Sequence, residues 1–118
     1  MAGHAVTHFE IVGNDPDGLQ AFYAGAFGWE MQASLPGYAM ALAGEGGIHG
    51  GVGTLPGPAR SHVTVYVDSD DPASDLERIE SLGGSTVLPA TEIPGGPTIA
   101  LFADPEGHVV GLAKRPTR

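Results

Sequence analysis

Two stretches decide how this chain folds: HFEIVGNDPDGLQAFYAGAFGWEM at 8–31 and HVTVYVDSDDPASDLERIESLGG at 62–84. Each opens on a run rich in β-formers, over 5–12 and 62–67. Each run leads into an acidic, proline-bearing turn, NDPDG at 14–18 and DSDDP at 68–72. Asn, Asp and Ser in such turns are good helix N-caps, and proline fits the first helical turn. Leu19, Phe22, Tyr23 and Phe27 then recur at helical spacing, as do Leu76, Ile79 and Leu82. Glycine stops both segments, Gly28 after the first and Gly83–Gly84 after the second.

Working outward, each helix is followed by short strands separated by glycine-rich turns. They are expected at about 29–33, 37–43 and 47–53, then at about 85–89, 97–103 and 108–113. The chain therefore reads strand–helix–three strands, twice. His8 and His62 stand 54 residues apart, and Gly28 and Gly83 stand 55 apart. An internal repeat of this length sets the architecture before any single residue does. The expected fold is α+β: two βαβββ modules forming a cup-shaped, half-open mixed β-barrel with the helices outside. One domain spans 1–118, with module one at about 1–53, a linker at about 54–61 (TLPGPARS) and module two at about 62–118.

Composition narrows the function. The 118 residues carry five Lys and Arg against fourteen Asp and Glu, a net charge of −9. Phosphate neutralisation supplies most nucleic-acid affinity, so this balance argues against DNA or RNA as a partner. Lys114, Arg115 and Arg118 cluster at the C-terminal end and read as a solvated tail. With no cysteine there is no disulfide framework, thiolate metal site or cysteine nucleophile. The N-terminal MAGHAVTHFEI has no basic segment and no long apolar run, and no stretch approaches a membrane span. A cytoplasmic protein without a membrane partner is expected. GEGG at 44–47 lacks the lysine and following helix of a phosphate loop.

Strand parity groups the candidate site residues. If His8 faces the concave side, so do Glu10 and Val12, while Phe9 and Ile11 face the helices. His62 likewise groups with Thr64 and Tyr66, against Val63, Val65 and Val67. Two polar strand faces at matched positions of a repeat are costly for a plain core and point to a pocket. His49 is left open between the cup, a dimer contact and an exposed turn. His108 follows the DPEG turn and is expected to stabilise it, and His4 falls in a terminus expected to fray. Trp29 and Phe102 are core or cup wall; as wall they would favour a flat or aromatic ligand.

Four segments together, the two quoted above with GGIHGG at 46–51 and LFADPEGHVVGL at 101–112, resemble the vicinal oxygen chelate superfamily. That superfamily includes glyoxalase I, bleomycin-resistance proteins and extradiol dioxygenases. The closest likeness is to its small single-domain glyoxalase-like branch. The resemblance implies a ligand in the concave face, a homodimer and, in catalytic relatives, a divalent metal. Carried over by position, it puts metal ligands at His8 and His62. It puts the carboxylate of the terminal strand at Gly111, and a fourth ligand within 48–52, where no carboxylate stands. Gly111 then marks a missing ligand side chain, with Glu10 as a candidate third donor. The expected function is binding of a small organic molecule, aromatic or a natural product, in a cup with an incomplete metal site. This would serve as sequestration or as a metal-independent tailoring step. The residues expected to line the site are His8, Glu10, His62, Thr64, Tyr66, His49 and Phe102. The alternative is a divalent-metal-dependent lyase, isomerase or dioxygenase.

Overall fold

A computed structural model describes residues 3–55 and 61–115. Most of the expected linker, and Arg118 of the expected tail, lie outside the described residues. The element order is β1 (Val6–Val12), α1 (Pro16–Phe27), β2 (Glu30–Leu35), β3 (Tyr38–Leu42), β4 (Gly50–Gly53), β5 (His62–Asp68), α2 (Pro72–Ser81), β6 (Ser85–Glu92), β7 (Thr98–Ala103) and β8 (Val109–Lys114). This is the βαβββ module repeated, an α+β fold.

The helices start where their caps dictate. The Asp15 side chain accepts from the Gly18 backbone N–H at 3.1 Å, and Asp71 does the same for Ser74 at 3.2 Å. Pro16 and Pro72 occupy the first turns, and Asp17 and Asp75 place negative charge against the positive end of each helix. Gly28 ends α1 with φ 73°, and its N–H bonds the Ala24 carbonyl at 2.8 Å.

The chain forms two compact units, Thr7–Thr64 and Met1–Val6 with Val65–Arg118. In the first, strands run in the order β2-β3-β4-β1, with β1 and β4 parallel and the other pairs antiparallel. Ile11, Ala41 and Val52 form its core, and Phe9, Leu19, Tyr23, Trp29 and Met31 pack against them. Phe9 and Ile11 thus lie on the helix side, as parity predicts. In the second unit the order is β5-β8-β7-β6, with β5 and β8 parallel. Its core is Leu76, Ala100 and Leu112, with Val67, Ile79 and Phe102 against it. Pro89 sits in β6 within the register shift between Leu88 and Thr91, at a strand that ends the order, where a missing N–H is tolerated.

Three expectations change. The valines of β5 were expected to face a helix, yet Val63 is 74% and Val65 is 38% exposed. The core built on Leu76 takes in Val67 alone of the three, because α2 packs on β6, β7 and β8. Phe22, Phe27 and Leu82 follow helical spacing but stand 63%, 64% and 74% exposed. The apolar stripe of each helix is therefore wider than the face its sheet covers. His4 is not frayed: its Nδ1 bonds the Asp68 carbonyl at 2.9 Å, and the Asp68 N–H donates to the Ala5 carbonyl at 2.8 Å.

Candidate functional site

Glu10 lies in the middle of β1, 4% exposed, directly opposite Gly51 of β4 in parallel register. A carboxylate this deeply buried requires partners. The Tyr38 hydroxyl donates to its Oε2 at 2.9 Å, and His62 Nε2 lies 3.0 Å from its Oε1. Tyr38 is 8% exposed. The three residues come from β3, β1 and the first position of β5, and all fall within the Thr7–Thr64 unit.

Gly51 makes the arrangement possible. A Cβ there would fall on the Tyr38 phenol oxygen, so any larger residue would drive the phenol off Glu10. Tyr38 is the member of this cluster that sequence reading missed. Its signal was a tyrosine opening a strand beside a strand of glycines, where an aromatic side chain can lie flat over bare backbone.

His8, two residues before Glu10 and half-buried, has its pKa lowered from the usual imidazole value. Burial is the main cause; nearby Glu10 opposes it and His49 adds to it. His8 is therefore neutral at pH 7. His49 is exposed in the segment before β4, its Nδ1 accepts the Ala43 backbone N–H at 3.0 Å, and it is electrostatically close to His8. Thr64 is buried on the same strand as His62.

In the other unit, Tyr66 is 5% exposed and stands opposite Gly111 in the β5–β8 register. A Cβ on Gly111 would clash with the carbon atoms of the Tyr66 ring. This gives the glycine of the last strand a physical cause: an aromatic ring is packed against it. Phe102 turns the other way, into the α2-facing core, where it borders a small apolar hollow with Val67, Ile79 and Leu112. It is not brought together with Tyr66. A cleft of about 670 Å³ at the Ile93–Gly96 turn is bordered by Lys114 and Arg115 of the basic cluster and by none of the candidate site residues. His108 does stabilise its turn, bonding Asp104 through both its backbone N–H and its Nδ1 at 3.0 Å.

A resident divalent ion does not fit these residues. Among those described, no three His, Asp or Glu side chains converge to hold a metal. Both Glu10 oxygens are engaged, one by the Tyr38 hydroxyl and one by His62 Nε2. The place a terminal-strand carboxylate would need is filled by the Tyr66 ring. Sequence reading grouped His8, His62 and Glu10 as a ligand set; the structure instead makes Glu10 and His62 a hydrogen-bonded pair.

Residues 9–113 match the family model of the glyoxalase-like domain, and the chain belongs to that family. A comparison with curated protein sequences gives no match. Among solved structures, a hypothetical protein from Bacillus halodurans superposes with a TM-score of 0.73 at 11% identity, covering 99% of this chain and 98% of its own. A glyoxalase/bleomycin resistance protein/dioxygenase superfamily member from Vibrio splendidus gives 0.65 at 17% identity, covering 94% and 98%. A methylmalonyl-CoA epimerase from Streptomyces coelicolor, solved with 2-nitronate-propionyl-CoA, gives 0.63 at 16% identity, covering 98% and 96%. At these identities the likeness is one of fold. Among the described residues no helix is long and apolar enough to cross a membrane.

Proposed function

We propose that this glyoxalase-like domain binds a small organic molecule at the face carrying Glu10 and His62, and that it does so without a metal. One observation carries the reading: a buried carboxylate is spent on holding a partly exposed imidazole. The Glu10 side chain is 5% exposed and that of His62 is 20% exposed. A buried ion pair is rarely the most stable filling for a core, and apolar residues of similar size often do as well or better. A carboxylate–imidazole pair with one member open to solvent is suited to recognition and proton handling.

The fold supports the same reading, since the Streptomyces coelicolor epimerase carries an acyl-CoA analogue on it. The proposed role is sequestration or a metal-independent tailoring step, in which His62 touches the bound molecule and Glu10 orients His62. The protein is further proposed to act as a homodimer.

The test is a thermal-shift screen with a set of aromatic and hydroxylated small molecules, run on the wild type and on His62→Gln. A ligand that binds only the native state must raise the melting temperature. At least one compound should stabilise the wild type and lose most of that effect on His62→Gln. Equal shifts in both proteins, or no shift from any compound, would sink the reading.

A further inference from the structure

Lys114 and Arg115 read from sequence as part of a solvated tail, but the fold gives them a place. Lys114 closes β8 in register with Thr98 of β7, and Thr98 pairs in turn with Glu92 of β6. Residues paired directly across strands share a face of the sheet. Two positions along, Ala100 and Leu112 are paired and lie in the core with Leu76 of α2. Side chains alternate along a strand, so Glu92, Thr98 and Lys114 form one row on that same face. Neighbouring strands lie about 4.8 Å apart, which sets the backbones of Glu92 and Lys114 about 10 Å apart. The row borders the cleft of about 670 Å³, together with the Ile93–Gly96 turn and Arg115.

The charged groups of this cleft have no partner among the described residues. Three Lys and Arg fall within those residues, and one of them, Arg78, is bonded to Asp75. Lys114 and Arg115 make no ion pair, and neither does Glu92. The uncommitted positive charge of the described chain therefore borders one cleft, in a protein whose net charge is −9. A cleft side lined by one sign of charge concentrates ligand groups of the other. Guanidinium and ammonium groups hold carboxylate and phosphate by charge-assisted hydrogen bonds, the guanidinium through two at once. Glu92 stands across Thr98 from Lys114. Its carboxylate repels a second anionic group and accepts a hydrogen from a donor. The volume falls in the range of about 300–1,000 Å³ usual for small-molecule sites.

We propose that this cleft binds a small molecule with one anionic group, a carboxylate or a phosphate monoester, at the Lys114–Arg115 end and an ammonium or hydroxyl group at the Glu92 end. A molecule anionic at both ends would set like charges together at Glu92. A molecule with no anionic group would leave both cations without a partner. Thr98, between the two ends, offers a hydroxyl to either. All of these residues belong to the compact unit that contains Val65–Arg118, whereas Glu10 and His62 belong to the other. The proposal therefore stands or falls apart from the reading of the Glu10–His62 face.

O-Phosphoethanolamine and 4-aminobutyrate are the probes, one for each anionic group, with inorganic phosphate as the one-ended control. The readout is the backbone amide signals of Gly95, Gly96 and Thr98 in nitrogen-15-labelled protein, at constant pH and ionic strength. At least one two-ended probe should shift these signals to saturation, and the tighter of the two identifies the anionic group. Lys114→Gln combined with Arg115→Gln should weaken that probe by about tenfold or more, the effect of losing charge-assisted hydrogen bonds. Glu92→Gln should weaken the two-ended probe yet strengthen inorganic phosphate, because the carboxylate attracts the one and repels the other. Glu92 and Arg115 are exposed and Lys114 is half-buried, so these variants leave the core intact. Shifts that rise without saturating, or that the double variant leaves unchanged, would overturn the proposal. So would a Glu92→Gln variant that binds every probe more tightly, because the cleft would then take a simple anion with no second end.

Discussion

Gly51 and Gly111 show what a sequence leaves unsaid about a single position. Both sit on the last strand of a module, and by resemblance Gly111 marks a missing ligand side chain. Each is instead covered by a tyrosine, Tyr38 over Gly51 and Tyr66 over Gly111. A sequence shows that a side chain is absent, but not which neighbour has filled the space. Gly111→Ala should therefore destabilise the protein by about 1–3 kcal/mol, the usual cost of overpacking a filled site, as read from denaturant midpoints. A neutral effect would mean the ring does not lie there. Glu10 and His62 were legible as inward-facing from strand parity; that they bond each other rather than a common ion was not.

His8 carries the second residue-scale prediction. Its folded pKa lies below the ordinary 6.5 because burial disfavours the charged ring. Protons then bind the unfolded chain more readily than the folded one. Stability should be intact above about pH 6.5 and be lost as the pH falls from there through the folded value. Unfolding curves at mildly acidic and mildly alkaline pH check this. The wild type should lose more stability on acidification than His8→Gln, and equal losses would contradict it. Asp104 is also lowered, first by its bond from the His108 backbone, but it titrates below this window.

At the scale of elements the sequence was read well where local chemistry decides. The order of ten elements, both aspartate caps and both N-terminal prolines are found as expected. These features depend on residues within three or four positions of one another, so no tertiary knowledge is needed. The Asp71 side chain satisfies the Ser74 N–H, and Asp71→Ala should cost about 1 kcal/mol in equilibrium unfolding. A change within error would show that water serves that N–H equally well. Facing failed where tertiary packing decides. Helical spacing marks Phe22, Phe27 and Leu82 as apolar-face residues, but how far a sheet extends beneath a helix is not written in the helix.

For the whole molecule, the fold was legible because it is repeated: each half corroborates the other, and the family match over 9–113 agrees. The ligand was not legible, because this scaffold carries many chemistries. Phe22 and Phe27 on α1 and Val63 on β5 leave large apolar side chains in water. That burden fits the proposal that a second copy covers part of it. Light scattering should give about twice the 12.0 kDa chain mass, and a monomer at high micromolar concentration would refute it.

The account turns on Glu10 and His62 being a hydrogen-bonded pair and not two parts of a metal site. The most direct measurement is a nitrogen-15 correlation spectrum of the histidine rings at neutral pH, before and after one equivalent of zinc. The account predicts that His62 donates a hydrogen bond to Glu10 through Nε2 and that zinc leaves its ring signals in place. Zinc shifting His8 and His62 together, and persisting at one ion per chain after dialysis, would contradict it.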